Sequence, residues 1–219
     1  MPKITVITAS VRKEGIPIVQ KHLRTQTFKD FEHIIQGREG SMEGNYWTLN
    51  QDMNIAIGKA KGELIVSIQD YTAFKPDALE KFWNHYEYNQ RIILSGWGDK
   101  YTKDDWLVKT WQDPRYTDSS LKEVPFHYVE GNFCAIPKVA FYDVGGFDEY
   151  LDKYAGMDFY SVLDRLNMRE WKFFLDGSNE SFSLEHGRLP KWEEKNAIHG
   201  PYNERRKVYL ENSKLRYLQ

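Results

Sequence analysis

Apolar residues recur along this chain at two periods, and the alternation between them lays out an architecture. The run Ile4-Thr5-Val6-Ile7-Thr8-Ala9 is short and β-branched, which suits a buried central strand. Pro17 stands near the start of 16–25, where its fixed φ suits a first helical turn. Phe31-Glu32-His33-Ile34-Ile35 predicts a second strand, ended by Gly37 and Gly40. Over 47–60 the period changes: Leu49, Met53, Ile57 and Ala60 fall at helical spacing, and Gly62 follows as a stop. A third strand is predicted over 63–68. Pro76 then opens a helix whose apolar face is Leu79, Phe82, Trp83 and Tyr86, and 91–95 predicts a fourth strand.

Short strands joined by helical crossovers predict an α/β fold with a doubly wound, mostly parallel sheet flanked by helices. Ligands of such sheets bind beyond the carboxyl ends of the strands, which puts the segments after Ala9, Ile35 and Ile68 on the working edge. The stretch 96–125 is polar, aromatic and without period, and predicts a long functional loop. After it come a strand at 127–129, a short helix at 137–144, a helix at 157–166, a strand at 171–175 and a further short strand at 182–184. From 203 to 217, charges alternate with Val208, Leu210 and Leu215, which predicts an amphipathic C-terminal helix packed on the domain or on a second copy in a homo-oligomer. The expected organisation is one domain over 1–200, with a ligand-binding half at 1–95 and a second half at 96–200, and a helical tail at 201–219.

Composition narrows the class. At 219 residues, 41% hydrophobic and 28% charged, the chain is long enough and apolar enough for a single buried core. No apolar run approaches the roughly 20 residues of a membrane span, and the N-terminus lacks the apolar core of a signal peptide. Cys134 is the sole cysteine, so no internal disulfide forms, and a cytoplasmic location is expected. The net charge of −2 argues against nucleic-acid binding through overall electrostatics. The chain carries no GxxxxGK[ST] phosphate loop, no GxGxxG after its first strand and no GxSxG elbow.

Two constellations remain. In Ser67-Ile68-Gln69-Asp70-Tyr71 an acid directly follows an apolar strand, a poor place for packing and a good one for holding a divalent cation against diphosphate oxygens. Taken alone, the same Asp reads more readily as a residue that initiates a turn. The other is an ordered series: Glu130-Gly131-Asn132-Phe133-Cys134, then Gly145-Gly146-Phe147-Asp148-Glu149, then Gly156-Met157-Asp158-Phe159, and Asp164-Arg165-Leu166. Here the plain account is a glycine turn and an acid favoured by a helix N-terminus.

Together these stretches resemble the family-2-type GT-A glycosyltransferases, enzymes that transfer sugars from nucleotide-diphosphate donors. The first match is Asn54 on a helix, Ala60-Lys61-Gly62, a strand, Asp70 in place of a DxD-like motif, and Pro76-Asp77. The second is the ordered series from Gly131 to Leu166, and the likeness covers about 3–187. It implies a GT-A, Rossmann-like fold and an inverting hexosyl- or pentosyltransferase, with a UDP-sugar as the default donor and Mn2+ or Mg2+ as cofactor. It implies that Asp70 ligates the metal, that His186 is a second ligand, and that Asp158 deprotonates the acceptor hydroxyl. Donor contacts fall on Thr8, Ser10, Arg12, Gln36, Arg38, Asn54, Gln69 and Asp70. The acceptor, a glycan or other hydroxyl compound, would meet Trp97, Trp106, Trp111, Gly131 and Asn132. The chain departs from the family where an acidic pair falls on Gln69 and Tyr71, and where Met157 precedes Asp158. Those departures keep two alternatives in view: a non-catalytic nucleotide-sugar or carbohydrate-binding module, and a transferase acting on a nucleic-acid base through a patch such as Arg205, Arg206, Lys207, Lys214 and Arg216.

Overall fold

The computed structural model describes residues 1–10, 12, 14–37, 48–102, 108–116, 118–154 and 158–185. The predicted tail at 203–217 lies outside them. The first third alternates as its periodicity predicts: β1 (Ile4–Ala9), α1 (Ile16–Arg24), β2 (Phe31–Gln36), α2 (Leu49–Lys59), β3 (Leu64–Ile68). Then come β4 (Thr72–Phe74), α3 (Ala78–Tyr88) and β5 (Ile92–Tyr101), followed by two short strands, β6 (Lys109–Trp111) and β7 (Leu121–Glu123). A 3-10 turn (Phe126–Tyr128) leads to β8 (Phe133–Pro137) and α4 (Lys138–Val144). A second 3-10 segment (Glu149–Tyr154), α5 (Asp158–Met168) and β9 (Lys172–Leu184) complete the described chain.

The strands form one mixed sheet in the order β2-β1-β3-β8-β5-β9-β4, with β6 added to β5 and β7 to β9. β1 pairs parallel with β2 and β3, and β5 parallel with β9, while β8 runs antiparallel between β3 and β5. Helices cover both faces, and the pleat divides the core between them. Leu64, Val66 and Ile68 of β3 join Ile4 and Val6 of β1 against Val19 and Leu23 of α1 and Leu79, Phe82 and Trp83 of α3. Ile65 and Ile7 point the other way, into a core shared with Met53 and Ile57 of α2, Phe141 of α4 and Val162 and Leu166 of α5. β1, β3 and β5 therefore end on one edge, where β8 begins and α2 and α5 start.

Four expectations change. The predicted loop over 96–125 carries strand at 96–101, 109–111 and 121–123: β5 runs on to Tyr101 because β9 lies beside it and pairs Trp97 to Glu180 through Tyr101 to Leu184. Tertiary pairing here overrides the weak strand character of a Gly- and Lys-containing segment. The strands expected at 171–175 and 182–184 are one strand, interrupted by a register shift opposite Ser95 and Trp97. At 127–129 the chain forms a 3-10 turn instead of a strand, closed by Tyr128 N–H donating to the Pro125 carbonyl at 2.9 Å. Pro125 holds an extended φ of −59° before it, and the Phe126 ring packs against Tyr160 and Phe173. Finally, β4 and β8 are additional strands; Pro137 closes β8, and α4 starts one residue later.

Candidate active site

The edge of the sheet holds Asp70 in the turn from β3 to β4, 8% exposed. One carboxylate oxygen takes the Ser10 hydroxyl hydrogen, and the other lies 3.5 Å from Arg12 Nη1. Ser10 is itself fixed by the strand end: its N–H donates to the Gln36 carbonyl at 2.9 Å, and its Oγ accepts from Arg12 N–H at 2.9 Å. The next residue, Tyr71, has a φ of +57°, in the left-handed region that a non-glycine residue rarely occupies. The turn is held by Tyr71 N–H to the Gly15 carbonyl (3.3 Å) and by Leu184 N–H to the Tyr71 carbonyl (2.9 Å). Backbone strain of this kind persists where the surroundings over-determine it and gathers at ligand sites.

Asp158 opens α5 on the same edge. Gly131 explains how the helix sits so close: a Cβ on Gly131 would lie 2.0 Å from Phe159 Cδ2. The Gly131 carbonyl accepts from Ser67 Oγ at 2.6 Å, and the Asn132 carbonyl from Gln69 N–H at 3.0 Å. Asp70, Gln69, Asn132, Gly131 and the Phe159 ring thus form a continuous path from one acid to the other. Gln69 is exposed, and Gly131 and Asn132 are half-buried.

Asn50, in the first turn of α2, is completely buried, and its Nδ2 donates to both Asp158 Oδ1 (2.8 Å) and Asp152 Oδ1 (2.9 Å). Asp152 also accepts from the backbone N–H groups of Asn50 (2.9 Å) and Gln51 (3.2 Å), so it caps α2 from a distant segment. Burial raises the Asp152 carboxyl above its ordinary range, these donors oppose that, and Glu149 adds to it. Sequence reasoning passed over both Asn50 and Asp152.

Other expected donor residues are engaged by the fold. Thr8 is fully buried, its Oγ1 3.0 Å from His33 Nε2. Gln36 donates to Asp52 Oδ1 at 3.2 Å and accepts from Lys59 Nζ at 2.9 Å. Asn54 grips the double-glycine turn: Nδ2 donates to the Phe147 carbonyl (3.0 Å) and Glu149 (2.9 Å), and Oδ1 accepts from Phe147 N–H (2.8 Å). Arg165 holds the same turn from α5 through the Val144 and Gly146 carbonyls. Of the expected acceptor residues, Trp97 stacks on Tyr116 at 4.2 Å and donates its indole N–H to the Gly177 carbonyl at 2.8 Å. Trp111 stands exposed on β6 with Lys100 Nζ 5.3 Å from its ring centre. Arg38, Trp106 and His186 lie outside the described residues.

As a metal centre the described part is sparse. No group of three His, Cys, Asp or Glu side chains gathers among the described residues, and Asp70 faces a guanidinium and a hydroxyl. Such a donor set fits an ion that arrives with a diphosphate and is bound by one carboxylate and phosphate oxygens; it does not fit an ion held by these residues alone. No helix among the described residues is long and apolar enough to cross a membrane.

No family model matches the chain, and no curated protein matches it in sequence. Among solved structures it is similar to the crystal structure of S. aureus TarS 1-349 in complex with UDP-GlcNAc, with a TM-score of 0.68 at 12% identity over 85% of this chain and 60% of that one. The same TarS fragment in complex with UDP gives a TM-score of 0.60 at 12% identity, over 84% of this chain and 60% of that one. The chain spans about 60% of the length of that fragment, and at this identity the likeness is one of fold alone: an α/β, GT-A-like fold.

Proposed function

We propose that the chain is a nucleotide-sugar-dependent glycosyltransferase in which Arg12 meets the donor's diphosphate, Asp70 holds the divalent ion that comes with it, and Asp158 is the general base. The observation that carries this reading is the placement of two acids on one sheet edge, Asp70 beside the β1–α1 loop and Asp158 at the start of α5, joined through Gln69, Asn132 and Gly131. A UDP-sugar is the assigned donor, supported by the UDP-GlcNAc and UDP complexes of the structural relative. Arg12 supplies a permanent positive charge for the leaving diphosphate, and Ser10 and Asp70 fix its approach. A Mn2+ or Mg2+ ion entering with the donor would be held by Asp70 and would neutralise phosphate charge.

In the transfer, Asp158 accepts the proton of the acceptor hydroxyl as that oxygen bonds to the anomeric carbon. The bond from that carbon to the diphosphate breaks, and UDP leaves with the electron pair. The base and the leaving group stand on opposite sides of the sugar, so the anomeric configuration inverts. Gly131, Asn132, Trp97 and Trp111 border the acceptor side in this reading.

The test is a thermal-shift and calorimetric screen of UDP-, GDP-, CMP- and dTDP-sugars, each with manganese and with chelator. UDP-sugars should stabilise the protein, and Asp70→Ala should weaken their binding at least about tenfold and remove the metal-dependent part. Asp158→Asn should keep donor affinity and lose about a hundredfold or more in turnover. No shift with any nucleotide sugar would overturn the reading. Donor binding without transfer or hydrolysis would favour a binding module instead, a reading that the single carboxylate at the β3–β4 turn also supports.

A further inference from the structure

Asn50 is an unusual residue to bury completely, and its environment says what it does. An amide NH2 has two hydrogens, and here both are spent on carboxylates: one on Asp152 Oδ1 at 2.9 Å, the other on Asp158 Oδ1 at 2.8 Å. Asn50 Oδ1 is buried with no hydrogen-bond partner among the described residues. Turning the amide over would aim that oxygen at two carboxylates, so the donor side is fixed by its partners.

The surroundings make the arrangement stiff. Asp152 cannot swing away, because it also caps α2 through the N–H groups of Asn50 and Gln51. Asn50 cannot rotate without giving up two charge-assisted bonds. The plane of the amide is therefore set by Asp152, and Asp158 Oδ1 takes its hydrogen bond from that amide. Thr48, the residue preceding α2, makes no side-chain cap bond to the helix and donates to Asp52 at 2.8 Å, which leaves the capping of this turn to Asp152.

We propose that Asn50 is the positioning residue for Asp158, holding its carboxylate at one angle on the sheet edge, with Asp152 anchoring Asn50 from the 3-10 segment that follows the glycine turn. The proposal rests on the reading of Asp158 as the base. Its consequence is specific: Asn50 contributes to the proton-transfer step and not to donor binding, since its bonds go to Asp158 and Asp152 and none to Asp70, Ser10 or Arg12.

Two measurements test it. In 15N spectra of the full chain, the two side-chain amide protons of Asn50 respond separately: Asp158→Asn moves one of them and Asp152→Asn the other. In steady-state assays with UDP-GlcNAc as the probe and water as acceptor, read by UDP release, Asn50→Ala lowers kcat about thirtyfold while KM for UDP-GlcNAc stays within about twofold. Asn50→Ser, which keeps one donor on a shorter stem, recovers part of the loss. Asn50 amide protons unmoved by Asp158→Asn would overturn the proposal, and that readout stands if Asn50→Ala fails to fold. So would a kcat for Asn50→Ala within twofold of the parent, or a rise in KM that accounts for the loss. Full turnover in Asp158→Asn sinks the base assignment and this proposal with it, whereas an inactive Asp158→Asn beside a fully active Asn50→Ala sinks this proposal alone.

Discussion

His33 shows how far burial changes the chemistry of one side chain in this fold. Its ring sits between β1 and β2 with Nε2 3.0 Å from Thr8 Oγ1, and desolvation pulls its pKa from 6.5 to about 4. The folded protein thus binds a proton less readily than the unfolded chain. Stability tied to the neutral imidazole is complete above pH 6.5 and is lost as the pH falls from there toward 4. The loss is on the order of 3 kcal/mol at most. Urea midpoints at pH 7 and pH 4.5 should therefore lie closer together in His33→Gln than in the parent; an equal gap in both would remove His33 as the cause. Among single residues, Asp70 and Asp158 could be singled out as candidates because an acid after an apolar strand, or opening a helix, stands out from its neighbours. Asn50 and Asp152 were not. Their bonds span 102 and 108 positions, and nothing local distinguishes an Asn in a first helical turn from any other.

Among the elements, α5 carries the proposed base, and its seat over Gly131 is where a small change should act on function. A methyl group at 131 would meet the Phe159 ring, whose Cδ2 lies 2.0 Å from the ideal Cβ position. Phe159 also packs edge-on against Phe147 at 5.1 Å, so the ring cannot yield without disturbing the glycine turn. Gly131→Ala should cost about 1–3 kcal/mol and lower turnover by about tenfold by tilting the start of α5. Adding Phe159→Ala should return part of the stability, a coupling that a double-mutant cycle reads directly. Strictly additive losses would show that the two residues do not press on each other. Elements with a period of their own, α1 to α3 and β1 to β3, could be read from the chain. β5 and β9 could not be bounded, because the outer part of each is a strand through partners far along the chain: Gly98, Asp99 and Lys100 pair with Ser181, Phe182 and Ser183, which pair in turn with Phe74, Ala73 and Thr72 of β4.

At the scale of the molecule, the two sequence halves are interleaved. β8, from beyond residue 96, lies between β3 and β5, and β9 lies between β5 and β4. Neither half can close its own sheet, which is why Asp70 and the proposed base are positioned by the same strands. The core crosses the same boundary: the Phe133 ring of β8 lies 5.2 Å from Phe82 of α3 and 5.9 Å from Phe74 of β4, all three fully or almost fully buried. Phe82→Ala opens a cavity there at a cost of about 3–5 kcal/mol, a large share of the roughly 5–15 kcal/mol that holds a domain together. Because the sheet is shared, that loss should fall on the whole molecule at once. Tryptophan fluorescence, to which Trp83 in one core and Trp171 in the other contribute among seven tryptophans, should shift to a lower denaturant midpoint in step with far-UV circular dichroism. Two separated transitions in Phe82→Ala, one for each half, would mean that the halves hold their structure independently and that β8 and β9 do not bind them into one unit.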